Sequence, residues 1–230
     1  MNKRLKSVAG VDGCRGGWIM VRKDPARDDV SVHIATNWRD LPPTDMIAVD
    51  MPIGLPNRGA RGCDRLAQTL LGARRSSVFL GFRRPLLNFA DYPSANAWGK
   101  RIDGKGLAKQ AWFLLPKIRE LDEILTPPLQ ARIRECHPEL AFASLAGAPM
   151  RYAKRDPRGE RARMKALRAA GFGELPHWLK ALDRRLAKPD DLLDACVLCW
   201  QAERLVRGTA KRLPHRPQRD AHGLRMEIWY

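Results

Sequence analysis

The stretch Ser7-Val-Ala-Gly-Val-Asp12-Gly-Cys-Arg-Gly-Gly17-Trp-Ile-Met-Val-Arg22 decides the fold of this chain. Residues 7–12 form a short apolar run that is typical of a buried β-strand, and the glycines over 13–17 predict a tight turn into a second strand over 18–22. After a polar break, Val30-Ser-Val-His-Ile-Ala35 alternates between apolar and polar side chains, as a third strand does. The sequence therefore predicts an antiparallel meander of three strands.

Two further strands are predicted to extend this meander. Met46-Ile-Ala-Val-Asp50 is apolar up to its terminal acid, which is typical of a buried strand. Met51-Pro-Ile-Gly-Leu-Pro56 can continue neither a strand nor a helix, so the chain leaves the sheet just after residue 50. Residues 132–137 predict a fifth strand, which Pro138 breaks.

Helical patterns fill much of the remaining chain, outside a loop rich in Arg, Ser, Pro and Gly over 72–106. Pro116 is expected to kink or split its helix, and the last helix is apolar nearly all round, which predicts burial against the sheet. The predicted helical segments are a single turn over 38–41 and helices over 61–71, 108–125, 158–170, 175–186 and 190–207.

The chain of 230 residues is long enough for one large domain or two small ones. No internal repeat and no linker rich in Gly or Ser divides it. We therefore predict a single α/β domain over 1–230, with a largely helical and loop insertion after the fourth strand, at about 57–130. Residues 224–230 alternate as a terminal edge strand does.

The charge balance predicts a polyanionic partner. The chain has 42 Lys plus Arg against 25 Asp plus Glu, a formal net charge of +17. Residues 151–168 alone hold eight bases and two acids, which could follow the phosphate backbone of DNA or RNA; the alternative is a solvated helix face. Aromatic residues make up only 7%, and no RNP-like or zinc-finger pattern occurs, so base-specific readout has no visible basis.

The composition excludes two broad classes. Hydrophobic residues make up 44% and charged residues 29%, which fits neither a disordered polyelectrolyte nor a membrane protein. No apolar run approaches the roughly 18 residues that span a bilayer. The apolar stretch after the basic start is too short for a signal peptide. Five scattered cysteines are expected to be reduced thiols, so the expected location is the cytoplasm.

Four acids stand out by their positions. Asp12 and Asp50 end the first and fourth predicted strands, and Asp191 and Asp194 lie three residues apart at the start of the buried helix. If the two strands are neighbours and the helix packs across their carboxyl edge, these carboxylates share one small volume. Like charges raise one another's pKa and require a counter-ion, usually Mg²⁺ or Mn²⁺. Two such ions about 3.5 to 4 Å apart can hydrolyse a phosphodiester.

Most of these acids also have a structural interpretation. Asp190 would be the N-cap of the last helix, and Asp191 could merely complement the helix dipole. Asp12 and Asp50 could each form a turn. Asp194 is harder to explain in this way, because it begins the apolar face of the helix and an unpaired buried acid is costly.

Five motifs together carry a resemblance to a known family. They are Gly10-Val-Asp-Gly-Cys-Arg-Gly-Gly-Trp18, Asp50-Met-Pro-Ile-Gly-Leu-Pro56, Arg74-Arg-Ser-Ser-Val-Phe79, Glu135-Cys-His-Pro-Glu139 and Asp190-Asp-Leu-Leu-Asp-Ala195. From Val8 to Tyr230 the chain resembles the predicted nuclease family catalogued as domain of unknown function 429, to which a ribonuclease H-like fold is assigned. The pattern Asp191-x-x-Asp194-Ala195 is also similar to the last-helix motif of Holliday-junction resolvases, whose acids coordinate catalytic metal.

The resemblance implies a ribonuclease H-like mixed sheet and roles for further residues. Glu139 would join the acids, and His137 would be a metal ligand or a proton shuttle; for both, the alternative is a structural cap after the fifth strand. A group that binds phosphate or substrate is implied as well: Arg15, Arg74, Arg75, Ser76 and His137. For Arg74, Arg75 and Ser76, the alternative is an exposed loop.

These observations together predict a Mg²⁺- or Mn²⁺-dependent nuclease. Asp12, Asp50 and Asp194 would be metal ligands, with Asp191 or Glu139 as a fourth. A basic nucleic-acid-binding domain without catalysis remains an alternative. An ATP-binding phosphotransferase of the actin-like or sugar-kinase class is another, because the acid and glycines of the first hairpin resemble a phosphate-binding turn. Against this alternative, such proteins usually carry two such domains and a second glycine-rich loop for adenosine, and this sequence shows neither.

Overall fold

The computed structural model describes residues 6–27 and 29–230, which fall into two compact units. The first, called the sheet unit, takes the described residues of Met1–Asp50 together with Arg132–Lys211 and Trp229–Tyr230. The second, called the helical unit, comprises Met51–Ala131 and Arg212–Ile228. The insertion predicted over 57–130 falls within the helical unit, which begins directly after Asp50 and also includes a C-terminal segment.

The sheet unit is built on a mixed sheet of five strands. They are β1 (Val8–Cys14), β2 (Gly17–Asp24), β3 (Asp29–Ala35), β4 (Met46–Val49) and β5 (Ile133–Glu135), in the order β3-β2-β1-β4-β5. The pairs β1–β2 and β2–β3 are antiparallel, whereas β1–β4 and β4–β5 are parallel. The predicted meander and the parallel strands beside it are confirmed.

Eight α-helices lie in the described part of the chain, joined by shorter 3₁₀ turns. The helices are α1 (Gly62–Leu71), α2 (Tyr92–Asp103), α3 (Lys109–Trp112), α4 (Leu115–Ile124), α5 (Pro138–Ala146), α6 (Pro157–Ala169), α7 (Leu175–Ala181) and α8 (Pro189–Arg207). The 3₁₀ turns are Trp38–Asp40, Gly72–Ser77, Arg84–Asn88 and Leu129–Ala131.

Three helices differ from the sequence prediction: α2 and α5 were not predicted, and α7 ends five residues before its predicted end at 186. The segment Tyr92–Asp103 was expected to be loop, but Asp91 accepts a hydrogen bond from the Ser94 N–H (2.9 Å) and left-handed Gly104 ends the helix. Pro138 opens α5 as well as ending β5, because proline fits the first turn of a helix. The expected split near Pro116 is confirmed by the break between α3 and α4.

Near the C-terminus there are two short strands, and only the second of them lies within the edge strand predicted over 224–230. They are β6 (Arg212–Leu213) and β7 (Ile228–Trp229). In the sheet unit, Trp229 forms a parallel bridge to Cys136, directly after β5. The chain end therefore extends the sheet edge over far fewer residues than the alternating pattern predicts.

The helical unit is held together by buried ion pairs. Arg61 donates to Asp64 at 2.5 Å, and Arg84 bonds to both Asp122 and Asp220. Because Asp220 lies in the C-terminal segment of this unit and Arg84 in its N-terminal segment, the pair joins parts of the chain that are far apart in sequence.

Helix α8 packs against β1 so closely that only glycine fits between them. A Cβ atom on Gly10 would collide with the carbonyl oxygen of Ala195 and the backbone nitrogen of Cys199. Residues Leu192 to Cys199 are all buried, as the apolar sequence predicts.

No helix in the described ranges is both long and apolar enough to cross a membrane.

Candidate functional site

Three of the predicted acids converge at the carboxyl edge of β1 and β4. Side chains alternate along a strand, so Asp12 lies on the same face of β1 as Gly10, the face that α8 covers. Asp50 directly follows β4, and its N–H donates to the Val11 carbonyl oxygen at 3.0 Å. Asp194 precedes Ala195, the α8 residue whose carbonyl faces Gly10. The parallel pairing of two strands and one close helix contact thus place the acids together.

These acids are desolvated. Asp12 is 8% exposed and Asp194 4%, and Asp50 is half-buried. Burial raises the pKa of Asp12 well above its ordinary value, and the charges of Asp50 and Asp194 raise it further. Burial also raises the pKa of Asp194, to about 6, although Lys154 opposes the rise. Full ionisation of this acid cluster, which consists of Asp12, Asp50 and Asp194, is therefore unfavourable.

Residues at the start of α5 affect the pKa of Asp50. Burial raises the pKa of Asp50, the charges of His137 and Lys154 lower it, and Glu139 raises it. His137 is the N-cap residue of α5 by its extended backbone, and Glu139 lies in the first turn of that helix. The residues that the resemblance added to the acids are thus within electrostatic reach of them.

Glu139 is anchored by an arginine from another helix. Arg163 of α6 donates to the Glu139 carboxylate at 2.6 Å, and both side chains are buried. Because breaking a buried pair leaves an uncompensated charge, this pair ties α5 firmly to α6. Its structural role is clear from the geometry, while the electrostatic effect of Glu139 on Asp50 and Asp194 keeps it part of the site.

Lys154 is the functional residue that the sequence reasoning missed. Its ammonium lies 2.9 Å from Asp194 Oδ2 and 3.5 Å from Asp190 Oδ2. Burial lowers the pKa of Lys154, but Asp194 and Asp12 outweigh this effect and raise it above its ordinary value. Lys154 belongs to the basic run over 151–168, which indicates only an outward-facing surface when it is read as sequence.

The start of α8 differs from the prediction in one residue. Lys188 is the N-cap, so the assignment of that role to Asp190 is wrong: Pro189 occupies the first helical position and moves Asp190 into the helix. Asp191 accepts a hydrogen bond from the Lys188 N–H at 2.8 Å and so caps the helix end. Asp191 also raises the pKa of Asp12, which places it at the margin of the cluster.

The predicted phosphate-binding residues divide between the two units. Arg15 is exposed in the turn after Asp12, where the neighbouring Gly16 N–H donates to the Leu186 carbonyl at 2.7 Å. The others belong to the helical unit, in the 3₁₀ turn Gly72–Ser77, where one is half-buried and two are exposed: Arg74, Arg75 and Ser76.

The donor chemistry of the cluster suits a hard cation, but no metal site is preformed. Across residues 6–27 and 29–230, no three His, Cys, Asp or Glu side chains converge closely enough to hold an ion as they stand. In the same ranges, Asp194 and Glu139 have ion-pair partners, whereas Asp12 and Asp50 have none within 4.0 Å. Asp12 is buried and Asp50 half-buried, both have a raised pKa, and their oxygen atoms are the kind of ligand that a hard divalent cation prefers.

Fold and site together define an α/β protein with a five-stranded mixed sheet and an acid cluster at its carboxyl edge. The chain belongs to the family described as a protein of unknown function (DUF429), whose model matches residues 10–219. The family membership indicated by the five motifs is therefore confirmed. No curated protein and no solved structure matches the chain.

Proposed function

We propose that this protein is a metal-dependent nuclease of ribonuclease H-like fold. The fold part of the proposal is supported by the strand order, in which an antiparallel meander precedes two parallel strands. It is also supported by the positions of the acids, on the first strand, after the fourth strand and on the long helix that packs against the first.

The single observation that carries the catalytic part is that Asp12 and Asp50 are neighbouring acids whose ionisation is unfavourable. Both carboxyls have a pKa raised by burial, and neither forms an ion pair with a described residue. A buried carboxylate without a partner is costly, and Mg²⁺ or Mn²⁺ bound by oxygen ligands would relieve that cost. Asp12, Asp50 and Asp194 would hold the ion, and the chemistry that it supplies there is activation of water and stabilisation of a leaving oxygen.

The other residues of the site have supporting roles in this proposal. Lys154 is held protonated by Asp194 and Asp12, so it can stabilise a phosphate but cannot accept a proton. Glu139 stays ion-paired with Arg163 and shapes the field around Asp50. Asp191 fixes the first turn of α8, which orients Asp194 one turn further on.

Nucleic acid is the proposed substrate because of the charge distribution. The net charge of +17 would attract a polyanion, and six of the eight bases over 151–168 are exposed in the same unit as the acids. A phosphodiester that approached this unit would meet bases on the surface and the acids in the buried cluster.

The test is cleavage of single-stranded and duplex DNA, RNA, hybrids and branched junctions in Mn²⁺ and in Mg²⁺. We expect Asp50→Asn to reduce cleavage at least about 100-fold, because the substitution removes a ligand charge while keeping the side-chain shape. Asp40→Asn is the matched control, since Asp40 is exposed on a 3₁₀ turn. Cleavage by wild type and Asp50→Asn at equal rates would show that these acids are not catalytic.

Binding without cleavage would favour the non-catalytic alternative. If the wild type binds these substrates, cuts none of them and takes up no Mn²⁺ in calorimetry, the catalytic proposal fails. The basic nucleic-acid-binding interpretation would then account for the charge, and the acids would be structural.

A further inference from the structure

Helix α6 carries a row of cations on its outer face. Its inner face buries Gly159, Arg163 and Leu167, which recur every four residues. On the opposite face, exposed bases recur at intervals of three and four residues: Arg158, Arg161, Lys165 and Arg168. This spacing places all four within one narrow strip of the helix surface.

Three of the four bases are not neutralised. Arg158 is paired with Asp156 at 2.8 Å, the residue that also caps the helix. Arg161, Lys165 and Arg168 form no ion pair with any residue in the described ranges. We call these three residues the α6 cation row. With a rise of about 1.5 Å per residue, the row spans roughly 10 Å along the helix axis.

The cation row also lines a concave surface. Arg161, Lys165 and Arg168 line an open surface cavity of about 500 Å³ together with Met164 and Gly173, and none of the described residues that line it is acidic. Met164 is half-buried and supplies an apolar side, while Gly173 contributes no side chain that would narrow it. A concave wall with three free cations suits an extended chain of anions better than a single small one.

Helix α6 links the cation row to the acid cluster. Arg163, on the inner face between Arg161 and Lys165, is bonded to Glu139. The row therefore stands on the outer face of a helix whose inner face is fixed to the acid cluster.

We propose that Arg161, Lys165 and Arg168 bind successive phosphates of a nucleic-acid backbone. Phosphates of one duplex strand follow one another with a rise of about 3.4 Å along the duplex axis, so a row of roughly 10 Å that lies along this axis spans about three nucleotide steps. The proposed contacts are to phosphate alone, because no aromatic side chain among the described lining residues could stack a base. This inference rests on the proposed function only in taking nucleic acid as the partner.

The test is equilibrium binding of fluorescent duplex and single-stranded oligonucleotides, by anisotropy in EDTA over a range of NaCl. The test variant is Arg161→Gln/Lys165→Gln/Arg168→Gln. The control, Arg39→Gln/Lys180→Gln/Lys211→Gln, removes the same charge at exposed positions elsewhere in the sheet unit. A third variant, Arg161→Lys/Lys165→Arg/Arg168→Lys, keeps the charge of the row.

For duplex DNA, the plot of log K against log salt has a negative slope, and we expect the test variant to make that slope shallower by about 2 to 3. Each lost phosphate contact removes about 0.9 from its magnitude. Its affinity near 0.1 M salt should fall at least about tenfold, while the control and the charge-keeping variant should stay near wild type. If the control weakens binding as much as the test variant does, binding follows net charge and the proposal is wrong. The same holds if the test variant binds like wild type.

Because the assay is run in EDTA, its result is independent of cleavage. Loss of binding in the test variant alone, with no cleavage by the wild type in Mn²⁺, would support the cation row and overturn the nuclease proposal. No binding by the wild type to any oligonucleotide near 0.05 M salt would overturn the cation row, whatever the cleavage assay shows.

Discussion

Lys154 and Asp12 show how single residues set the electrostatics of the acid cluster. Lys154 neutralises Asp194, so one of the three proposed metal ligands is already paired in this structure. Asp12 accepts a hydrogen bond from the Gly13 N–H at 2.7 Å and forms no ion pair with a described residue, although the charge of Lys154 lowers its pKa. Two aspartates of the same cluster thus have different environments: Asp194 is ion-paired, and Asp12 is not. Because its pKa is raised well above the ordinary value, ionisation of Asp12 lowers the stability of the folded state.

The cost of ionising Asp12 predicts a pH-dependent stability. Its pKa is raised in the folded state, so between the ordinary value of 3.8 and the raised value the native state binds more protons than the unfolded one. Stability from this group is therefore lost as pH rises. In EDTA at pH 8, we expect Asp12→Asn to melt about 2 to 4 °C above wild type, the shift that corresponds to about 1 kcal/mol in a chain of this size.

The advantage of Asp12→Asn should vanish toward pH 4, where the wild-type carboxyl is protonated. Asparagine keeps the acceptor for the Gly13 N–H, so only the charge changes. Thermal melting by circular dichroism at several pH values measures the difference. A variant that is less stable than wild type at pH 8 would show that Asp12 is not a strained charge.

At the scale of elements, the contact between β1 and α8 determines where the acids lie. Gly10 lets the two backbones approach, and Asp12 and Asp194 lie just beyond this contact on the strand and on the helix. Asp191 then fixes the helix start through the Lys188 N–H. The position of the acids is therefore set by backbone packing rather than by the acids themselves.

We expect Gly10→Ala to destabilise the protein by about 3 kcal/mol, because the added methyl group has no space and must separate strand from helix. Urea unfolding measures this loss. Gly173→Ala is the control, since a Cβ atom there would meet nothing within 4 Å and its backbone is not left-handed. Equal stability of the two variants would show that β1 and α8 are not as close as the structure has them.

At the scale of the whole molecule, the net charge is strongly positive, whereas the acids at the carboxyl edge of the sheet form a local negative cluster. A net charge of +17 is carried mainly by exposed bases, while a few acids are buried at one sheet edge. This arrangement allows two kinds of ligand to act separately, a polyanion outside and a divalent cation inside. Binding of either to the folded state alone would raise the melting temperature by mass action.

Mn²⁺ is therefore expected to stabilise the protein. At a Mn²⁺ concentration about 100 times its Kd, the gain is about 2.7 kcal/mol, or roughly 5 to 10 °C in melting temperature. Asp50→Asn should abolish this shift, and Asp40→Asn should keep it. Differential scanning fluorimetry with MnCl₂, with CaCl₂ as the comparison ion, checks both. An equal shift in wild type and Asp50→Asn would mean that Mn²⁺ binds elsewhere.

Local patterns in the sequence predicted the strands and the acids at their ends. A strand's alternation, a glycine turn or a proline stop depends on residues close together in the chain, so residues 7–50 could be interpreted without a structure. The helix Tyr92–Asp103 was missed because its capping signals, Asp91 and Gly104, lie in a segment whose composition is typical of a loop. The N-cap of α8 was misplaced by two residues because Pro189 can stand inside the first turn as well as before it.

The sequence by itself determined the meander, the buried helix and the set of candidate acids, because periodicity and chain breaks are local properties. Only the tertiary structure decided which cations meet those acids. Lys154 reaches Asp194 across 40 residues of chain, and Arg163 reaches Glu139 across 24. Charge partners separated by that distance in sequence leave no periodic signal, since their meeting depends on how helices pack on the sheet.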